Sequence, residues 1–201
     1  MPPLHDDASS HLTCLSGISQ PNEFSPDERS LLLRLAHAAI AAALDQREIS
    51  LAAPSAHLAE PRGAFTTLYY RGGLRGCVGY VLPVTPLYRT VADSARGAAF
   101  DDSRFSPVTR EESRELQVSL SILSPPQPIS ADQVEIGRHG LLISLGLYRG
   151  LLLPQVPVEH GWDRITFLEQ TCRKAGLPLD AWQTGAKLEA FTAEVFTDPK
   201  M

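Results

Sequence analysis

The sequence predicts an α+β protein with a mainly antiparallel sheet, flanking helices and a smaller lobe. The predicted strands follow one another as hairpins and do not alternate one by one with helices, which is typical of this class. The 201 residues are 43% hydrophobic and 20% charged, which is enough apolar material for the core of one domain and too much for wholesale disorder. Capping signals mark the starts of helices between the strands.

The first helix is predicted from a start signal at Ser25. Ser25 can cap the helix, Pro26 fits its first turn, and Glu28 completes a capping box. Residues 1–24 are polar and aperiodic, so they predict a flexible N-terminal leader. The folded domain is therefore expected to span residues 25–198.

A hairpin follows, because AFTTLYY alternates aromatic and β-branched residues and leads into the turn Arg71-Gly72-Gly73. Further caps are predicted at Thr85, with Pro86 behind it, at Thr109 and at Asp163. Pro154 and Pro157 predict an extended segment. The predicted elements are helix 26–46, strands 64–70 and 74–81, helix 85–99, a short helix from 109, strand 116–123, an extended loop 124–128, a hairpin over 140–153, a helix up to 174 and strand 188–196.

Composition excludes several classes of protein. The net charge is -5 and the pI is about 5.7, so a broadly basic surface for nucleic acid or an anionic membrane is not expected. No apolar run approaches the ~20 residues of a membrane helix, and the acidic N-terminus does not resemble a signal peptide. Three widely spaced cysteines do not form a disulfide framework, which favours a cytoplasmic location.

The stretch LRGCVG at 74–79 is the first candidate site. Glycine inside a strand marks a bulge or the close approach of a backbone or ligand, which nominates Gly76 and Gly79 as ligand-binding residues. Arg75 and Cys77 are expected on one strand face, where the guanidinium would favour the thiolate. The alternative is that Cys77 is a packing residue and Arg75 forms a structural ion pair.

Two loops supply further candidates. In the segment before the last helix, His160 could act as a general base oriented by Glu159 or Asp163, or these side chains could be a surface group and a helix cap. In DDSRF at 101–105, Asp102 and Arg104 could bind a ligand. The alternative is a self-satisfied turn in which Arg104 bonds the carbonyls at the end of a helix.

Other site types are not indicated. No spacing of histidines and cysteines predicts a metal site, and no cofactor is expected. The glycine-rich nucleotide loops and the Gly-x-Ser-x-Gly nucleophile motif are also absent from the sequence.

Taken together, the ordered motifs resemble those of the AMMECR domain family, whose microbial members are called AmmeMemoRadiSam system protein A. The resemblance covers about residues 26–197. Val78 and Tyr80 stand where the family usually has isoleucine and a smaller or β-branched residue. The matching stretches are GAFTTL at 63–68, LRGCVG at 74–79, DDSRF at 101–105, VSLSILSPPQPI at 118–129, HGLLI at 139–143, LLLPQV at 151–156, GWD at 161–163 and CRKAGLP at 172–178.

The resemblance implies an antiparallel α+β fold with a smaller helical lobe. It implies a pathway or complex shared with a Memo-like protein and a radical SAM protein, and it carries a functional role to Arg75, Gly76 and Cys77 by position. It brings no established reaction.

Three functions follow as expectations. The first is a binding or scaffold surface around LRGCVG, which would meet the Memo-like partner or a small-molecule ligand. The second is an enzyme in which Cys77 attacks a small or anionic substrate, Arg75 stabilises the thiolate, and His160 or Glu159 moves protons. The third, least favoured by the acidic composition, is nucleic-acid binding through strand aromatics such as Phe65 and Tyr69.

Overall fold

A computed structural model describes residues 23–49 and 51–199. Within these ranges, two four-stranded antiparallel sheets and five α-helices confirm the predicted α+β class. All but two residues of the predicted leader lie outside the described residues. The helices are α1 (Pro26–Leu44), α2 (Leu87–Phe100), α3 (Arg110–Ser113), α4 (Gln155–Glu159) and α5 (Arg164–Lys174).

The strands divide into two sheets that share no strand. Sheet I has the order β2-β1-β3-β8 and sheet II the order β4-β7-β5-β6, with every pairing antiparallel. Sheet II and its helix α5 form the smaller lobe. The strands are β1 (Ala64–Tyr70), β2 (Gly73–Tyr80), β3 (Leu116–Leu123), β4 (Gln127–Pro128), β5 (Gly140–Leu145), β6 (Tyr148–Leu152), β7 (Lys187–Phe191) and β8 (Ala193–Thr197).

Three helix starts are confirmed at the residues that the sequence indicates. Reciprocal capping boxes form between Ser25 and Glu28 and between Thr109 and Glu112, and Asp163 accepts a hydrogen bond from a backbone N–H in the first turn of α5. These starts are local, because a side chain three residues away satisfies amides that the helix leaves free.

Two helix boundaries differ from the prediction. α1 ends at Leu44 because Gln46 has a φ of 53°, which leaves the right-handed helix. α2 begins at Leu87, one residue later than a cap at Thr85 would place it. Pro86 takes the cap position, and the Thr85 hydroxyl pairs with the Thr90 hydroxyl at 2.8 Å instead of capping a backbone amide.

The predicted extended segment around Pro154 and Pro157 is wrong, since it contains the short helix α4. Pro154 itself has right-handed helical angles (φ -59°, ψ -30°). Pro157 is the third helical residue, and its missing N–H costs nothing there because first-turn amides have no partner within the helix.

The predicted strand 188–196 is two strands in different sheets, β7 and β8, separated by Thr192. The chain also passes from sheet I to sheet II between β3 and β4. The two crossings are joined, because the Ser124 N–H donates to the Thr192 carbonyl and the Thr192 N–H donates to the Ser124 hydroxyl, both at 2.9 Å. This pair links the sheets.

The helices cover one face of each sheet. α1 and α2 pack on sheet I, where Leu32, Leu68, Val91 and Leu120 are fully buried. α5 packs on sheet II through two further apolar clusters. Phe24, at the end of the predicted leader, is also buried and stacks on His57. No helix among the described residues is long and apolar enough to cross a membrane.

Candidate functional site

The second face of sheet I carries the candidate site and is called the open face here. Alternate residues of the same strands point to the helices, so the residues between them point away from the helices. Four of its side chains, Thr67, Ser119, Ser121 and Thr197, are small and carry hydroxyl groups. The open face consists of Phe65, Thr67, Tyr69, Cys77, Gly79, Gln117, Ser119, Ser121, Val195 and Thr197.

Cys77 lies at the edge of this face, near the middle of the outer strand β2. It is level with Thr67, Ser119 and Thr197 on the three neighbouring strands. The Thr67 hydroxyl donates a hydrogen bond to the sulfur at 3.3 Å, and Thr197 donates to Ser119 at 2.8 Å. A half-buried thiol therefore stands at one end of a row of hydroxyl groups.

Asp102 and Arg104 lie beside Cys77, as one connected group. The Asp102 carboxylate accepts the Cys77 backbone N–H at 2.8 Å and two bonds from the Arg104 guanidinium at 2.8 and 3.0 Å. The Arg104 bonds, helped by the Cys77 and Arg104 amides, lower the pKa of Asp102 to about 2 against the effect of its burial. Arg104 bonds Asp102 in the same loop and not the helix carbonyls, and Asp102 also bonds β2 at Cys77.

Arg75 does not form the thiol–guanidinium pair that the sequence predicts. A bulge at this point of β2 breaks the register with β1. The guanidinium makes a two-point ion pair with Glu112, at 2.9 and 3.0 Å, and a 3.3 Å bond to the Pro107 carbonyl. This pairing lowers the pKa of Glu112 and makes Arg75 a buried link between β2 and α3.

The two motif glycines allow different close approaches. A Cβ on Gly76 would lie 2.0 Å from the Ala98 carbonyl oxygen, so this glycine admits the backbone of α2 on the helix-covered face. A Cβ on Gly79 would lie 2.3 Å from the ring of Phe65, which covers this glycine on the open face. From Gly76 onward, successive residues of LRGCVG therefore lie alternately on the helix-covered face and on the open face.

His160 and Glu159 are at the end of α4, in the smaller lobe. The His160 ring stacks on Trp162 with centroids 4.7 Å apart. Asp163 caps α5, so its carboxylate is committed to a backbone amide rather than to His160. Among residues 23–49 and 51–199, no hydrogen bond or ion pair joins His160 or Glu159 to Cys77.

Two grooves flank the row that contains Cys77. The larger, of about 990 Å³, is at the end of sheet I near Tyr69 and Gln117 and contains no LRGCVG residue. The smaller, of about 420 Å³, lies between Phe65 of sheet I and strand β6 of sheet II and is called the inter-sheet groove. In the described part of the chain, no group of three or more His, Cys, Asp or Glu side chains could hold a metal ion.

Sequence reasoning missed several residues around the site. Thr67 could have been found from the hairpin register, which places it opposite Cys77. Glu112 was assigned only to its capping box, although it also binds Arg75. Arg149 and Lys174, which line the inter-sheet groove, are 25 positions apart in the chain and belong to no motif.

Comparison with known proteins agrees with this architecture. A crystal structure of an uncharacterized protein from Pyrococcus horikoshii matches with a TM-score of 0.71 and 42% identity, over 84% of this chain and 90% of that one. A protein of Methanopyrus kandleri is 41% identical over 184 residues, which is 86% of this chain and 89% of the relative. A protein of Thermococcus gammatolerans is 48% identical over 151 residues, 69% of this chain and 74% of the relative.

The family model named AMMECR1 matches residues 33–196. This range includes both sheets except Thr197, the last residue of β8, and it includes Thr67, Asp102 and Arg104 beside Cys77. The family that the ordered motifs resemble is thus the one that the whole domain matches. The chain belongs to the AMMECR1 family.

Proposed function

We propose that the open face around Cys77 is the functional surface of this protein, and that it acts with a Memo-like protein and a radical SAM protein in a shared pathway. The position of Cys77 carries the proposal. Its side chain is on the sheet face opposite to α1 and α2, while its backbone is held by Asp102 and its sulfur accepts a bond from Thr67. The pathway is what the family resemblance implies.

The surface has the properties of a recognition site. Small side chains such as Ser121 and Thr197 leave room for a partner, and their hydroxyl groups can donate and accept hydrogen bonds. Arg104 is anchored by Asp102 but 55% of its side chain is exposed, so a guanidinium borders the surface. A partner side chain could therefore meet polar groups and one fixed cation near the thiol.

Partner binding is tested with the purified full-length chain and the Memo-like protein of the same organism. We expect a complex at tens of micromolar, and a loss of at least tenfold in affinity for Ser121→Tyr, which fills the open face. Leu147→Ser is the matched control, because Leu147 is fully exposed at the tip of the β5–β6 hairpin, far from Cys77 in the sequence and in another sheet. No complex, or equal affinity for Ser121→Tyr, would contradict the partner role.

A second function, Cys77-dependent chemistry on a small or anionic substrate, is favoured by the bond from the Thr67 hydroxyl to the sulfur. A donor to sulfur stabilises the thiolate, which is the reactive form of cysteine. The guanidinium of Arg104, which is held by two bonds to Asp102, adds a positive charge near Cys77.

The chemistry is tested by alkylation with iodoacetamide at pH 7, followed by peptide mass spectrometry. Cys172 is the internal control, since it is fully buried and burial raises its pKa. We expect Cys77 to react in the folded protein and Cys172 to react only after unfolding. If both stay unmodified until the protein unfolds, Cys77 is a packing residue and this second function is wrong.

A further inference from the structure

The inter-sheet groove has one wall from each sheet. Phe65 and Val81 form the wall on the side of sheet I. Leu151, Leu153 and Val156 form the facing wall, at the end of β6 and in α4. Both walls are apolar, and the volume of about 420 Å³ falls in the range of roughly 300–1,000 Å³ that small-molecule sites occupy.

Two cations border these apolar walls. Arg149 and Lys174 both line the groove and both are exposed. Neither makes a hydrogen bond or ion pair with any described residue, whereas Arg29, Arg62, Arg75 and Arg104 are each paired with a carboxylate. Two cations without a protein partner are available to an external anion.

The backbone places Arg149 and Lys174 at the same end of the smaller lobe. Gly150 follows Arg149 on β6, and Ala175 follows Lys174 at the end of α5. A Cβ on Gly150 would lie 2.3 Å from the Ala175 nitrogen, so the strand and the helix end touch at this point. Because Gly150 faces α5, the side chain of Arg149 leaves the opposite face of β6. Arg149 and Lys174 therefore approach the groove from different sides, and both line it.

The groove also runs toward Cys77. Phe65, on its wall, covers Gly79, which is two residues from Cys77 on the same strand face. Two residues of a strand span roughly 7 Å. A molecule held against Phe65 would therefore lie beside the open face.

We infer that the inter-sheet groove binds a small amphiphilic organic anion. Its apolar body lies between Phe65 and Leu151, and its carboxylate or phosphate is bound by Arg149 and Lys174. The inference goes beyond the proposed function, because the groove borders the open face at Phe65 but the binding uses neither the thiol nor the row of hydroxyl groups.

The test uses two fluorescent probes with the same ring systems. 8-Anilinonaphthalene-1-sulfonate carries the anion, and N-phenyl-1-naphthylamine lacks it. We expect the anionic probe to bind the folded chain at least fivefold more tightly. The double variant Arg149→Gln/Lys174→Gln should weaken the anionic probe about tenfold, a loss of ~1.4 kcal/mol, and leave the neutral probe unchanged. Val156→Trp should weaken both probes, because it fills the groove.

Arg173→Gln is the matched control, since Arg173 is also exposed in the last turn of α5 but does not line the groove. Cys77→Ser should bind both probes normally, which separates this inference from the proposed function. Thermal unfolding of each variant shows that the fold is kept. The inference is overturned if the folded chain does not bind the anionic probe, if the double variant binds it as tightly as Arg173→Gln, or if Arg173→Gln weakens it equally.

Competition then distinguishes the anionic group. Displacement of the probe by decanoate and not by decyl phosphate would assign a carboxylate, and the reverse would assign a phosphate. Displacement by both supports the shared chemistry. If neither decanoate nor decyl phosphate displaces the probe, the groove does not bind amphiphilic carboxylates or phosphates, and the inference is wrong.

Discussion

The two faces of sheet I are built from the same strands but differ in the size of their side chains and in how tightly they are packed. On the helix-covered face, Leu68, Val118 and Leu120 are fully buried against α1 and α2. On the open face the alternate positions hold Thr67, Ser119 and Ser121, which are small and hydroxylated. Tight packing makes the first face sensitive to volume changes, while the second retains room for a binding partner.

Strand β2 shows the contrast within one motif. Gly76 and Val78 face α2, whereas Cys77 and Gly79 face outward. Half of LRGCVG is therefore required for folding, and the other half is free to serve recognition or chemistry. Substitutions in this strand can separate the two requirements.

The largest effect is expected from Gly76→Ala. Its Cβ would lie 2.0 Å from a backbone oxygen of α2, and backbone cannot move aside as a side chain can, so we expect a loss of about 4 kcal/mol or more in the free energy of unfolding. A Cβ on Gly79 would lie 2.3 Å from the Phe65 ring and 2.7 Å from the Ala64 carbonyl oxygen. Because the ring can shift and the backbone approach is less severe than at Gly76, Gly79→Ala should cost less, about 2–3 kcal/mol. Urea unfolding of both variants checks this, and equal losses would contradict the contrast between the faces.

The next effect is expected from Arg75→Met, which leaves the Glu112 carboxylate without its main partner. Side-chain exposures of 11% and 21% make this pair largely buried, so the expected loss is about 2–3 kcal/mol. Adding Glu112→Gln should recover part of it, because glutamine keeps the capping box and removes the lone charge. Chemical denaturation of the three variants checks this; no recovery would show that Arg75 stabilises by packing alone.

A smaller and pH-dependent effect is expected from Asp102→Asn. The folded pKa of about 2 is below the ordinary value, so the stabilisation is fully present above about pH 4 and is lost as the pH falls toward 2. Since Arg104 is more than half exposed, screening limits it to roughly 1–2 kcal/mol at pH 7. Asp101→Asn is the control, with an exposed neighbouring carboxylate. A pH-independent loss for Asp102→Asn would contradict the assignment.

The smallest effect is expected from Thr67→Val, on the open face. Removing the hydroxyl that donates to the Cys77 sulfur should slow alkylation of Cys77 about 2- to 10-fold at pH 7, since one hydrogen bond is worth ~0.5–1.5 kcal/mol. Thr67→Ser keeps the donor and should retain the rate. Alkylation quenched at timed intervals and read by mass spectrometry measures both rates. A similar slowing in the two variants would mean that packing, and not the hydrogen-bond donor, controls the alkylation rate of Cys77.

Local signals in the sequence predicted much of the fold. The caps at Ser25, Thr109 and Asp163 depend on residues three positions apart, which the sequence displays directly. The division of 188–196 into two strands has no such local signal. The alternation of side chains continues across Thr192, while the pairing partner changes from one sheet to the other. Pairing partners are a property of tertiary structure.

The candidate site was predictable in part. The sequence indicated Cys77, Asp102 and Arg104 as separate candidates, and they lie together because the loop after α2 returns to β2. The partner of Arg75 was not predictable, since a bulge changes where its side chain points and Glu112 is 37 residues away. The inter-sheet groove depends on a crossing of the chain between two sheets, for which the sequence has no local signal.

The contact between Asp102 and the Cys77 amide has a consequence for self-association. β2 is an outer strand of sheet I, and the exposed amides of an outer strand are a template on which another chain can add a strand. At Cys77 that amide is already bound by a carboxylate, and the charged side chain of Arg104 stands next to it. The loop that presents charge beside the thiol thereby also protects this edge against aggregation, while the face above the edge stays uncovered.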